Sequence, residues 1–188
     1  MVFKVLLLAV VSLNIHAAEL EGVRLDDRAR VDGQEAVLNG IALRTRYAIF
    51  NVYVAGLYLP QKTTDARAAI ETPGAKRMAL VMLRDVSAEQ FAESFDVALR
   101  RNNSEAQLAE VKAQVDDLFA KIRAVGEART GMRILLDYTP SSEATTLFVD
   151  GAAQGGPMKG EAFYRAVLRS WLGEKPSQED MKKALLGG

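Results

Sequence analysis

The chain of 188 residues carries 24 Lys+Arg, 24 Asp+Glu, one His and no Cys. That length fits one domain with a sizeable core, and a formal net charge of zero leaves no basic excess for phosphates, which argues against nucleic acid as a partner. The lack of cysteine excludes disulfides, thiolate chemistry, zinc–thiolate sites and a lipid-anchored Cys.

Residues 1–18, MVFKVLLLAVVSLNIHAA, read as a secretory signal peptide: Lys4, an apolar run from Val5 to Leu13, then Ala17 and Ala18. The run is shorter than the roughly 20 apolar residues of a spanning helix, so the mature form is read without a membrane span; an uncleaved anchor is the alternative. The domain then covers residues 19–188, and the protein is expected in the periplasm or outside the cell. His16, the only histidine, leaves with the signal. The mature chain, with 23 basic and 24 acidic residues (charge −1), has neither His nor Cys. It cannot build a Ser-His-Asp or Cys-His arrangement, a histidine-rich metal site or a histidine base. No metal and no organic cofactor is indicated.

Val23 and Leu25 alternate with polar neighbours, as in a half-buried strand. Asp32-Gly33 is a hairpin turn, and Asn39-Gly40 is turn-prone. Residues 47–59, YAIFNVYVAGLYL, form a long strand with two largely apolar faces, both expected to be covered; Pro60 closes it. A short helix over Thr64–Ile70 ends at Thr72-Pro73-Gly74. Met78–Leu83 is a buried strand.

Ser87-Ala88-Glu89-Gln90 fits a capping box. Its helix aligns Phe91, Phe95, Ala98 and Leu99. A second box, Ser104 to Gln107, opens a helix with Leu108, Val111, Val115, Leu118, Phe119 and Ile122 on one face. Met132–Tyr138 and Thr145–Val149 are strands, Asp150-Gly151 is a turn and 151–160 a glycine-rich loop. Helix 161–172 carries Phe163, Val167 and Ser170 on one stripe with Trp171 beside it, and Gly173 stops it. A last helix spans about 178–186. Strands and helices come in blocks rather than one by one. The fold class is therefore α+β with a largely antiparallel sheet, not a doubly wound parallel one.

The loop 151–160 fails the phosphate-loop pattern, because Gly156 is followed by Pro157 rather than Lys-Ser/Thr, and it reads as a turn. The carboxylate pairs Asp116-Asp117 and Glu179-Asp180, and the cations Arg100-Arg101 and Lys182-Lys183, read as solvated helix faces and ends. Arg44 and Arg46 differ. They lie beside the most apolar strand, where a guanidinium needs a partner and suits a carboxylate or enolate-like oxygen; an exposed edge-strand arginine is the alternative.

Three stretches resemble the chalcone isomerase family, in its bacterial, exported, chalcone isomerase-like branch: LNGIALRTRYAIFNVYVAGLYLP (Leu38–Pro60), VSAEQF (Val86–Phe91) and FYRAVLRSWLGEKPS…KKALLG (Phe163–Gly187). The resemblance implies a large antiparallel sheet with a layer of helices on one face and a hydrophobic cleft between them. By position, the family's polarising arginine falls on Arg44, its strand threonine on Tyr53, its helix tyrosine on Phe91, its asparagine on Ala98 and its last threonine on Ser170. This chain thus keeps the arginine and one hydroxyl, and loses the helix tyrosine and the asparagine. In related fatty-acid-binding members an arginine and a tyrosine hold the ligand's carboxylate.

Ring closure needs donors where negative charge develops, and Phe91 and Ala98 supply none. The reading is therefore a weakly catalytic or non-catalytic protein that binds a small apolar, anionic, fatty acid-like ligand. Arg44 holds the acid, Tyr53 and Ser170 add hydroxyls, and Phe91 packs the tail. A true intramolecular lyase acting on a phenolic enone through Arg44 and Tyr53 is one alternative, and an interaction module with a closed cleft is the other.

Overall fold

Why the chain folds as blocks is visible in the computed structural model, which describes residues 17–47 and 49–188. In chain order the elements are β1 (Ala17–Leu20), β2 (Val23–Asp26), β3 (Arg28–Val31), β4 (Gln34–Arg46), β5 (Phe50–Leu59), α1 (Ala66–Glu71), β6 (Lys76–Met82) and β7 (Val86–Ser87). There follow α2 (Ala88–Asn102), α3 (Glu105–Glu110), α4 (Lys112–Val125), β8 (Glu127–Ala128), β9 (Arg133–Thr139), β10 (Ala144–Val149), β11 (Ala152–Ala153), β12 (Met158–Lys159), α5 (Glu161–Leu172) and α6 (Glu179–Leu185). The signal-peptide reading falls on residues of which 1–16 lie outside the described residues; Ala17 and Ala18 pair with Asp26 and Leu25 in the β1–β2 hairpin.

One antiparallel sheet runs β11-β10-β9-β6-β5-β4-β3, with β12 also on β10. Alternation splits β5 between two cores. Tyr53, Ala55, Leu57 and Leu59 face the helices and join Phe95, Leu99, Leu118, Phe163 and Trp171. Val54 and Tyr58 face the other way, under Val23 and Leu25. The helices therefore cover one face and the β1–β2 hairpin part of the other, so both faces of this strand are buried over Tyr53–Leu59.

Several local expectations need correction. The strand expected from residue 47 starts at Phe50, because Tyr47 (φ 54°) and Ile49 belong to the turn from β4. Asn39-Gly40 is not a turn but a bulge inside β4, where the register to β5 shifts. The helix expected from Ser104 onwards breaks at Val111 (φ −109°, ψ 15°). Its first part packs on α5 and the rest on α2, so tertiary packing overrides helix propensity.

The loop 151–160 contains two two-residue strands. Gly173 has extended backbone (φ −68°, ψ −172°) rather than a left-handed cap. Glycine is needed there because a Cβ would lie 2.3 Å from Asn102 Oδ1. Ser104–Gln107 forms the full reciprocal capping box, whereas Ser87 accepts from the Gln90 amide alone, at 3.2 Å.

Candidate functional site: a cleft under the helical layer

The site begins with strand register. Arg44 on β4 lies directly opposite Tyr53 on β5, so both side chains project from the same face. A second register shift lies between Arg44 and Thr45, where the extra residue, Val52, is in β5; here β4 meets Gln178, the N-cap of α6. Arg44 Nη1 donates to Thr45 O (3.0 Å), Ser177 O (3.2 Å) and Gln178 Oε1 (3.3 Å). Thr45 N donates to the same Gln178 oxygen at 3.0 Å.

The other end of α6 is tied to the Asn39-Gly40 bulge, where Asn39 Nδ2 donates to Leu185 O at 2.7 Å. The helix is thus pinned to β4 at both ends, and the Arg44 side chain is held from one nitrogen. Its Nε and Nη2 make no hydrogen bond among the described residues, nor does any carboxylate there pair with it. A guanidinium has five donors in a planar fork; here part of that fork is unspent among the described residues.

Tyr53 is buried, and its hydroxyl accepts from Trp171 Nε1 at 3.1 Å. The hydroxyl hydrogen has no acceptor among the described residues. Burial raises the Tyr53 pKa, against the opposing pull of the Trp171 hydrogen bond and the Arg44 charge, so the phenol stays a neutral donor. Burial likewise raises Tyr58, to about 12, and Tyr138 and Tyr164.

Four of the five tyrosines are therefore expected to remain protonated at about pH 10, where a free tyrosine is half ionised. Tyrosinate absorbance during an alkaline titration checks this. The sign of the linkage is that these groups stabilise the fold below the unfolded value, and that stability is lost as pH rises through the raised values.

Phe91, on the first turn of α2, stands 6.4 Å (ring centroids) from both Tyr53 and Phe95, and Phe95 stands 5.2 Å from Trp171. Arg44, Tyr53 and these rings line a cleft of about 250 Å³, with Arg46, Phe50, Val52, Arg84, Gln90, Ser94 and Ser177 around its rim and walls. Behind Phe91, Phe95 and Trp171 lies a second cavity of about 40 Å³ with only apolar lining, including Leu80, Leu118, Ile134 and Leu147. The arrangement offers a cation and a neutral donor side by side at the mouth and an apolar wall leading inward.

Three of the four residues singled out from sequence, Arg44, Tyr53 and Phe91, meet here. Ser170 does not line the cleft. It is fully buried, with its hydroxyl unpartnered among the described residues. Successive helical residues point about 100° apart, so α5 sends Trp171, not Ser170, to Tyr53. Ser170 contributes its carbonyl instead, accepting from Ser177 N and Oγ, each at 3.1 Å, and so holds the loop that carries Ser177. Sequence reasoning missed Gln178, Arg84 and the pairing role of Trp171. The i+4 spacing Phe163, Val167, Trp171 was a usable sign for the last; nothing in the sequence marked the other two.

Among the described residues no group of three or more His, Cys, Asp or Glu is placed to hold a metal ion, and no helix there is long and apolar enough to cross a membrane.

A sequence model described as chalcone isomerase-like matches residues 17–187. No curated protein matches the sequence significantly. Among solved structures, a fatty-acid binding protein of Arabidopsis thaliana superposes with a TM-score of 0.69 at 13% identity, over 91% of this chain and 96% of that one. At that identity the likeness speaks for the fold, and it agrees with the sheet and helical layer described above. The antiparallel sheet, the helices on one face and the match over residues 17–187 lead to one conclusion: the chain belongs to the chalcone isomerase-like family.

Proposed function

We propose that the protein binds a small anionic amphiphile of the fatty acid class, carboxylate at Arg44 and Tyr53, tail along Phe91, Phe95 and Trp171. The observation that carries this reading is the cross-strand pair: Arg44 keeps unspent donors and Tyr53 an unspent hydroxyl hydrogen among the described residues, side by side in a cleft of mixed polarity whose inner wall is aromatic. A carboxylate uses both, since charge-assisted hydrogen bonds are the strong ones. A chain of methylenes gains about 0.8 kcal/mol for each one buried against the aromatic wall. The solved fatty-acid binding protein of the same fold supports the ligand class. The amino-terminal signal pattern supports a site of action in the periplasm or outside the cell.

Ring closure of a phenolic enone is disfavoured at two positions: Phe91 lines the cleft where the family's helix tyrosine would stand and brings no donor, and Ala98, where its asparagine would stand, lines only the adjoining groove. The tests are lipid extraction with mass spectrometry of protein recovered from the periplasm, and titration with palmitate. Arg44→Ala is expected to weaken palmitate binding about tenfold to a hundredfold, the usual range for a hydrogen-bonded charge, with chalcones left unconverted by either form. Equal palmitate affinity in the two proteins, or chalcone turnover that depends on Arg44, overturns the reading.

A further inference from the structure

The exposed large apolar side chains are not scattered. Among the described residues they are Tyr47 (74% exposed), Ile49 (73%), Phe50 (44%) and Val97 (48%). The first three form the β4–β5 tip, and Tyr47 and Phe50 line the mouth of the cleft. Val97, on α2, lines the adjoining groove, which shares Arg44 and Arg46 with the cleft.

Cations are interleaved with them. Arg46 lies over the Tyr47 ring at 5.1 Å and Arg84 over the Phe50 ring at 4.9 Å; Arg101 and Lys175 stand in the adjoining groove. None of these four forms an ion pair among the described residues. The nearby acids are fewer and partly engaged. Asp85 accepts from Thr130 N and Oγ1 at 2.7 and 2.9 Å, Glu21 accepts from Asn51, and Glu93 stands in the groove. In a chain of zero net charge, this end is a positive, apolar corner. Tyr47 also holds φ 54°, a conformation that Asn or Gly adopts more easily.

Aromatic and aliphatic side chains that project between arginines match a lipid interface: rings and aliphatics enter the headgroup zone while guanidinium groups meet anionic lipid. We propose that the β4–β5 tip, with Tyr47, Ile49 and Phe50 flanked by Arg46 and Arg84, docks on an anionic phospholipid bilayer and presents the mouth of the cleft to it. The docking stands independently of the ligand; the passage of an amphiphile between bilayer and cleft rests on the reading above.

The test is co-sedimentation of the mature protein with phosphatidylglycerol–phosphatidylcholine vesicles and with phosphatidylcholine vesicles, at low and high salt. Wild type is expected on the anionic vesicles, less at high salt, and little on the neutral ones. Ile49→Asp is expected to lower partitioning about tenfold or more, the fold-change for withdrawing one isoleucine from an apolar phase. It leaves palmitate affinity and the thermal midpoint unchanged, because Ile49 does not line the cleft. Arg46→Gln and Arg84→Gln are each expected to lower it about fivefold. No binding to anionic vesicles at low salt overturns the proposal. So does equal binding by Ile49→Asp, or a dimer that Ile49→Asp dissociates while neither form binds vesicles. Vesicle binding together with no palmitate binding supports the docking and removes only the ligand assignment.

Discussion

Gly40→Ala is expected to lower stability by about 3 kcal/mol, the upper part of the overpacking range, and to weaken palmitate binding at the same time. A Cβ on Gly40 would lie 2.1 Å from Ala184 O and 2.7 Å from Leu185 C and O. These are backbone atoms of α6 and cannot rotate away. The bulge at Leu38–Gly40 is what brings β4 this close to the helix. Asn39, beside it, donates to Thr63 O at 3.0 Å and to Leu185 O at 2.7 Å, and accepts from Thr63 N at 2.7 Å.

Relief of the clash therefore means lifting the end of α6, which breaks the Asn39–Leu185 bond. The other end of α6 carries Gln178, which holds Arg44 and Thr45. Lifting the helix also loosens Arg44, although Gly40 never touches a ligand. Thermal unfolding is expected to show a midpoint about 6–12 °C lower, at 2–4 °C per kcal/mol for a chain of this size, and titration a loss of palmitate affinity of several-fold. Unchanged affinity in a destabilised Gly40→Ala protein would show that α6 does not position Arg44.

How far the sequence revealed this arrangement depends on the range of the interaction. Asp32-Gly33 turns the chain with both residues at positive φ (53° and 72°), as an Asp-Gly dipeptide predicts, and Ser104 and Gln107 cap each other as their spacing requires. These are contacts within a few residues, and patterns report them. The same dipeptide logic misreads Asn39-Gly40. There the glycine serves close approach to a helix about 145 residues later, and Asn39 serves the Leu185 carbonyl 146 residues away.

Arg44 and Tyr53 were legible as candidates, but their pairing follows from the β4–β5 connection and register, which residue types alone leave open. Gln178 was invisible because a glutamine at a helix start has no preferred reading. It matters only because α6 is laid along β4. Ser170 shows the opposite case: a residue on the right helix, one position from the side chain that faces the cleft. A 100° step decides between them, and the apolar face of α5 is so wide that Phe163, Tyr164, Ala166, Val167, Leu168 and Ser170–Leu172 are all buried, with the more exposed stripe Glu161, Arg165 and Arg169 excluding neither Ser170 nor Trp171.

Phe91→Ala is expected to shift chain-length preference toward longer fatty acids. Phe91 lines both the outer cleft of about 250 Å³ and the inner apolar cavity of about 40 Å³. Its ring stands with Phe95 and Trp171 as the partition between them. Removal of the ring joins the two spaces into one channel that leads from Arg44 and Tyr53 past Leu118 and Ile134. A tail that stopped at Phe91 then continues inward. Two further buried methylenes correspond to about fifteenfold in affinity at 0.8 kcal/mol each.

The variant is also expected to lose about 2–3 kcal/mol of stability, below the range for a fully buried phenylalanine, because Phe91 is only partly buried. Titration of both proteins with saturated fatty acids from octanoate to stearate separates the two effects: stability shifts every affinity alike, whereas a lengthened channel raises the ratio of long to short. A ratio unchanged by Phe91→Ala, in a protein that still binds palmitate through Arg44, would place the tail outside the helical layer and leave the inner cavity as packing alone.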